Sequence, residues 1–204
     1  MAKFRKLGED AAVLDIFKMS PAAGAPLLLL HEAIMRGPSP LSEGERELIS
    51  AYVCGIAGGR YCHGVHAETA KAYDDIPGEA VDAMLGDLES AGFPPKILPI
   101  LRMAGKLTED PASFSEADAR DVYDAGWDEQ ALHDAIMVVC CFNFMSRLLE
   151  GHGVEGPSVD GPNADGPNAD GRRALFEERG RRLKEDGYLP LLRLLEPGGG
   201  AAAE

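Results

Sequence analysis

Basic residues, cysteines and long apolar runs are all scarce in this sequence, and each shortage excludes a class of function. Lys and Arg number 20 against 34 Asp and Glu over 204 residues, a net charge of -14. Phosphate backbones and anionic lipid surfaces are bound by clustered cations, so neither nucleic acid nor membrane is expected as a partner. Small molecules and other proteins are. The longest pure leucine run, Leu27 to Leu30, is bounded by Pro26 and His31. That is far short of the roughly 20 apolar residues of a membrane span. Lys3, Arg5 and Lys6 near the start are followed by no apolar stretch of the signal-peptide kind, so a cytoplasmic location is expected. Four cysteines, at positions 54, 62, 140 and 141, do not make a disulfide framework, and reduced thiols are expected. No segment alternates with period two for long enough to argue a strand.

What is present is helical patterning. Residues 1–40 read as a loose arm with a short helix around Pro26 to Met35. Ser42-Glu43-Gly44-Glu45 has the S-x-x-E form of a capping box, and Leu48, Ile49, Tyr52, Val53 and Ile56 follow at helical spacing. Gly58-Gly59 ends that helix, and a second begins near Arg60. Further helices are predicted over 78–91, 94–107, 115–124 and 128–151, the last being the longest and most apolar, with Met137 to Phe144 apolar on nearly every side. Ser115-Glu116-Ala117-Asp118 repeats the capping pattern in the second half. An all-α fold follows, with a core over 41–155. Residues 156–171 contain a tandem Gly-Pro-Asn-Ala-Asp repeat and are predicted to be a flexible linker. An amphipathic tail helix is expected within 172–204, docked on the core or on a neighbouring subunit, with a disordered end.

Chemistry concentrates in Tyr61-Cys62-His63-Gly64-Val65-His66. Cys62 and His66 stand at i and i+4, on one face of their helix. A nearby imidazole can accept a thiol proton, and the free N–H groups of a first helical turn favour an anion. Both effects predict a Cys62 pKa below that of an ordinary thiol. The plainer alternative is a cysteine that merely packs, as buried cysteines commonly do. A metal site is the third reading. His63 points away from the Cys62–His66 face, however, and no second C-x-x-C or H-x-x-x-H run supplies further ligands, so neither metal nor cofactor is expected. Asn143 and Arg147 form another i, i+4 pair; they read as a buried polar network reaching Glu32 or Glu150, or as an anchor for an anionic substrate group.

The ordered motifs Leu41-Ser42-x-x-Glu45-Arg46-Glu47, Tyr61-Cys62-x-x-x-His66, Leu101-Arg102-Met103-Ala104-x-Lys106-Leu107-Thr108, Phe142-Asn143-Phe144-Met145-x-Arg147-Leu148 and Gly151-x-Gly153-Val154 resemble the carboxymuconolactone decarboxylase and alkylhydroperoxidase D superfamily, most closely its peroxidase-related branch. The resemblance implies an AhpD-like helical fold and a homo-trimer or homo-hexamer. It also implies a site of the form E…C-x-x-C-x-x-x-H, which places the glutamate at Glu47, the second cysteine at Cys62 and the histidine at His66. Gly59 stands where the first cysteine is expected.

The implied function is thiol-dependent reduction of a small hydroperoxide by Cys62, with His66 as proton acceptor and Glu47 orienting it, and an external thiol as reductant. Tyr61, Asn143 and Arg147 are the candidate substrate contacts. With Gly59 unable to act as partner, oxidation is expected to stop at a Cys62 sulfenic acid unless Cys54, Cys140 or Cys141 comes close enough. Two alternatives stand beside it: cofactor-free proton chemistry on a small carboxylated lactone with His66 as acid and base, and a non-catalytic oligomeric protein.

Overall fold

A computed structural model describes Phe4, Leu7, residues 11–154 and residues 169–195. Among these residues there is no strand. The helices run in the order α1 (Val13–Met19), α2 (Pro21–Arg36), α3 (Glu43–Ile56), α4 (Arg60–Lys71), α5 (Gly78–Ala83), α6 (Leu98–Glu109), α7 (Glu116–Asp124), α8 (Glu129–His152), α9 (Ala169–Asp186) and α10 (Pro190–Arg193), with a 3-10 turn at Pro111–Ser113.

The centre is α3. Its start is fixed by a reciprocal cap: Ser42 Oγ accepts from Glu45 N at 3.0 Å, and Glu45 Oε2 accepts from Ser42 N at 2.8 Å. A cap of this kind is worth about 1 kcal/mol. Leu48, Ile49, Ala51, Val53 and Cys54 are fully buried, and the helix packs on α4, α6 and α8 together. Its end is a Schellman closure, in which Gly59 N donates to Cys54 O at 2.8 Å and Gly58 N to Gly55 O at 3.1 Å. Gly58 takes φ +78, a left-handed conformation that a Cβ would strain. The chain therefore reverses within three residues and lays α4 back along α3.

The apolar helix predicted after Trp127 is α8. Asp128 caps it by accepting from Ala131 N at 2.8 Å, and Gly153 closes it at φ 72. Alone among the described helices it is long and apolar enough to cross a membrane, but half of that window is buried inside the protein. Its cover is incomplete. Met137, Cys140 and Phe144, at i, i+3 and i+7, form an exposed apolar stripe.

Several expectations are corrected. Residues 11–40 are no loose arm: α2 begins at Pro21, carries Pro26 inside it, and buries Leu28, His31 and Met35 against α8 and α3. Pro21 offers the same fixed φ for a helix start as Pro26, and the packed Leu28 and Met35 offset the one backbone bond that Pro26 removes. The helix expected over 78–91 stops at Ala83. The one expected from Pro94 starts at Leu98, because the residue before a proline is driven to extended backbone and Phe93-Pro94-Pro95 imposes this twice. Cys140 is exposed, where packing was expected. The predicted linker lies almost wholly outside the described residues, as does the far end of the tail.

The tail docks on its own core. Phe176 is buried over Gly64, where a Cβ would come within 2.9 Å of its ring. Gly180 packs on the backbone of α4, where a Cβ would lie 2.7 Å from Thr69 N. We expect Gly180→Ala to cost about 1–3 kcal/mol, the usual penalty of overpacking. It should free residues 169–195 for limited proteolysis while the far-ultraviolet circular dichroism of the remaining helices persists. A urea melt and a protease time course measure both.

Candidate active site

Glu47 sits in the middle of α3 with no exposure to solvent. The carboxylate is shared between two partners. Oε2 accepts from His66 Nδ1 at 2.6 Å, and Oε1 accepts from Arg36 Nη2 at 2.7 Å. Tyr188, from the turn before α10, closes the cluster by donating its hydroxyl to Oε1 at 3.4 Å. Burial alone would push the Glu47 pKa up, but His66 and Arg36 outweigh it and hold the carboxylate below its ordinary range. A carboxylate can only accept, so the proton of the His66 ring lies on Nδ1 and Nε2 is left with a free lone pair. That orientation is what a general base needs.

Arg36 is placed by the end of α2. It donates to Met35 O and Leu183 O, each at 3.0 Å, and its guanidinium lies over the Tyr188 ring. Burial works against its charge, and the neighbouring Glu47 raises its pKa nonetheless. Neither Arg36 nor Tyr188 is among the sequence-derived site residues. Arg46, next to Glu47 in the sequence, makes no ion pair with it. Arg46 instead caps α2, donating to Ile34 O and Gly37 O at 2.8 Å each.

Beside this cluster lies a group of thiols. Cys62, in the first turn of α4, is buried, and the buried Cys54 of α3 is its neighbour across the α3–α4 hairpin. The neighbouring Cys54 thiol and then burial push the Cys62 pKa well above the usual thiol value, which reverses the expected direction. The reason is tertiary: a helix start favours an anion only where its free N–H groups are the main neighbours, and here the neighbours are another thiol and apolar core. Cys141 on α8 donates to His31 Nε2 at 3.6 Å, and His31 Nδ1 donates to Leu27 O at 2.7 Å. Burial pushes the Cys141 thiol up to about 12 and the His31 pKa down, so both are neutral near pH 7. His31 was also missed. Its only sequence signal is a histidine closing an apolar run.

The remaining candidates are dispersed. Tyr61 is buried against the tail: its hydroxyl accepts from Arg179 at 2.9 Å, and Phe176 covers its ring. Asn143 donates to Thr108 Oγ1 at 2.9 Å, and the exposed Arg147 donates to Asn143 Oδ1 at 2.6 Å, so this pair makes its own network and does not reach Glu32. Glu32 accepts from Tyr188 N at 2.8 Å. Arg147 nevertheless lines a cavity of about 240 Å³ with Ile56, Ala57, Thr108, Glu109, Ser146 and Glu150. This cavity adjoins the start of α4, since a Cβ on Gly59 would lie 2.9 Å from Ser146 Oγ. His63 is turned away from the Glu47 cluster, with Nδ1 bonded to Ala51 O at 2.9 Å.

The buried cluster sets an acid limit on stability. His31 is held below its unfolded value of 6.5, so the unfolded chain gains a proton first and stability falls as pH drops below that value. Glu47 is held below 4.5, so its contribution is present above pH 4.5 and is lost as pH falls further. Thermal melts should show a decline beginning near pH 6.5 and steepening below pH 4.5. Glu47→Gln should flatten the lower branch.

No protein-family model matches the chain, and no curated protein matches it. Solved structures do. An uncharacterized peroxidase-related protein from Silicibacter sp. TM1040 is similar at 22% identity and a TM-score of 0.65, over 69% of this chain and 73% of its own. An alkylhydroperoxidase AhpD core structure, an uncharacterized peroxidase-related protein from Ralstonia eutropha JMP134, is similar at 22% identity and a TM-score of 0.64, over 68% of this chain and 72% of its own. At that identity the likeness is one of architecture, and the chain has the AhpD-like fold of these peroxidase-related proteins.

Proposed function

We propose that the protein is a thiol-dependent hydroperoxidase that reduces a small hydroperoxide at Cys62. The observation that carries this reading is the buried Glu47–His66 contact at 2.6 Å, one helical turn from Cys62. It supplies a base whose free nitrogen is fixed by an ionised carboxylate, beside a nucleophile that needs its proton removed. The AhpD-like fold supports it further, since both similar solved proteins are described as peroxidase-related.

The chemistry follows from the raised Cys62 pKa. At neutral pH the thiol holds its proton, so attack requires transfer to His66 Nε2, directly or through one water. Cys62 Sγ then bonds one peroxide oxygen, the O–O bond breaks, and the departing alkoxide takes the proton back from His66 as an alcohol. Cys62 is left as a sulfenic acid. Glu47 stays ionised throughout and stabilises the imidazolium. An external thiol supplies the reducing electrons. The cavity beside Gly59 offers an approach, with Arg147 at its wall.

One observation favours a second reading. A thiol held protonated has no part in proton chemistry on a small carboxylated substrate, where His66 would serve as acid and base and Arg147 as anchor. Steady-state assays separate the two. With cumene hydroperoxide and a thiol reductant, Cys62→Ser should abolish turnover and His66→Ala should lower it about 10²–10⁴-fold. In His66→Ala, which lacks the internal base, the residual rate should climb about tenfold per pH unit from neutrality as the thiolate fraction grows. A flat pH profile in that variant, or an activity that survives Cys62→Ser, would remove the hydroperoxidase.

We further propose that the protein works in the reducing cytoplasm as a homo-trimer or homo-hexamer. The exposed stripe of Met137, Cys140 and Phe144 on α8 supports assembly, as do Leu29 and Leu30 on α2, because apolar patches on one surface favour self-burial in closed symmetry. Light scattering should report one such assembly at micromolar concentration, and Phe144→Asp should shift it to smaller species. A wild-type monomer at every concentration would contradict this.

A further inference from the structure

One buried hydroxyl in this core is left without a partner. Among the described residues the buried Ser and Thr side chains are Ser50, Thr69, Thr108 and Ser146. The first three turn back on their own helices: Ser50 donates to Arg46 O, Thr69 to Val65 O and Thr108 to Ala104 O, each at 2.8 Å. Ser146 on α8 is only 2% exposed, yet its Oγ meets no hydrogen-bonding group. Buried polar atoms are nearly always satisfied, so the exception needs a cause. Ser146 lines the cavity of about 240 Å³ between α3, α6 and α8, and Gly59, having no Cβ, keeps its hydroxyl clear. That volume is below the roughly 300–1,000 Å³ of drug-sized sites and suits a ligand of a few heavy atoms. The lining carries both charges. Arg147 is held in place by donating from Nη1 to Asn143 O at 2.9 Å and Oδ1 at 2.6 Å, and Asn143 is fixed in turn by its bond to Thr108. Against this cation, α3 ends at Ile56 and α6 at Glu109, so two helix C-termini and a carboxylate also border the space.

We infer that this cavity is a subsite for a small zwitterion, in which Arg147 and the Ser146 hydroxyl bind a carboxylate while Glu109 and the ends of α3 and α6 bind an ammonium. A simple anion would be opposed by Glu109 and the two helix ends, and a simple cation by Arg147. Only a ligand bearing both charges is matched by both. The site lies next to the chemistry, since a Cβ on Gly59 would come within 2.9 Å of Ser146 Oγ and Cys62 follows three residues later in the first turn of α4. Resting on the proposed hydroperoxidase reading, the zwitterion is the reducing thiol, an aminothiol carboxylate. Its sulfur attacks the sulfur of Cys62 sulfenic acid, the S–O bond breaks, and hydroxide leaves with the thiol proton as water. A second molecule of the same thiol attacks the mixed disulfide at the ligand's sulfur and passes its proton to Cys62. Cys62 returns to the thiol and the two ligand molecules leave as their disulfide.

Two matched sets of small molecules test the site on the full chain. Binding is followed by saturation-transfer NMR with serine, ethanolamine and 3-hydroxypropionate, which share a hydroxyl and differ in charge. Serine should bind saturably and at least about tenfold more tightly than the other two. Ser146→Ala, Arg147→Met and Glu109→Gln should each weaken it about tenfold, the usual cost of a hydrogen bond to a charged group. Ser146→Ala removes a hydroxyl that holds nothing else, so that variant keeps the fold and the test survives even if another fails. Turnover is then measured with cumene hydroperoxide and cysteine, cysteamine or 3-mercaptopropionate as reductant. Cysteine should show the lowest KM, and Ser146→Ala should raise that KM with little change in kcat. Equal binding of the three hydroxyl compounds, no binding of any, or serine binding unaffected by all three variants would overturn the subsite, whatever the turnover. Selective serine binding with no turnover by any thiol would uphold the subsite and sink the hydroperoxidase. Turnover without preference for cysteine would overturn the assignment of the reductant and leave the hydroperoxidase standing.

Discussion

A single carboxylate holds the centre of this fold together. Glu47 is wholly buried, and an ionised carboxyl in apolar surroundings is tolerable only when its charge is matched. Three separate parts of the chain supply the match: Arg36 from the end of α2, His66 from α4 and the Tyr188 hydroxyl from the tail. Breaking a buried pair from one side costs about 3–5 kcal/mol, a large share of a domain's stability. The arrangement therefore fixes where α2 ends, how α4 is rotated and where the tail comes to rest. It also leaves one imidazole nitrogen free, the only freedom in the cluster that chemistry can use.

The α3–α4 hairpin performs the second task. Gly59 ends one helix with its N–H and begins the next with its carbonyl, so both helices share one residue as their boundary. Close reversal brings the last turn of α3 against the first turn of α4 and sets Cys54 beside Cys62. The same closeness leaves little room at position 59, where a Cβ would crowd Ser146.

What could be read from the sequence divides along the line between local and tertiary causes. The Ser42–Glu45 cap, the Gly58-Gly59 stop, the i, i+4 relation of Cys62 and His66 and the long α8 are written in short-range spacing, and all appear where expected. The importance of Glu47 was legible only through the resemblance of several ordered motifs. Its partners were not, since Arg36 and Tyr188 are remote along the chain and nothing in their own surroundings marks them. The direction of the Cys62 shift failed for the same reason. A helix start is visible in a sequence; a thiol from another helix is not. The late α6 reflects Pro94 and Pro95, whose effect on preceding residues outweighs the helical spacing around them.

The position of Tyr188 has a consequence for biosynthesis. Chains are made from the N-terminus onward, and α1 to α8 can assemble before the tail has been released. During that interval Glu47 has Arg36 and His66 beside it but lacks its final cover, so water still reaches the charge. Dehydration of the carboxylate is thereby postponed until Arg36 and His66 are both in place. The most expensive group in the core is sealed by segments translated after α8.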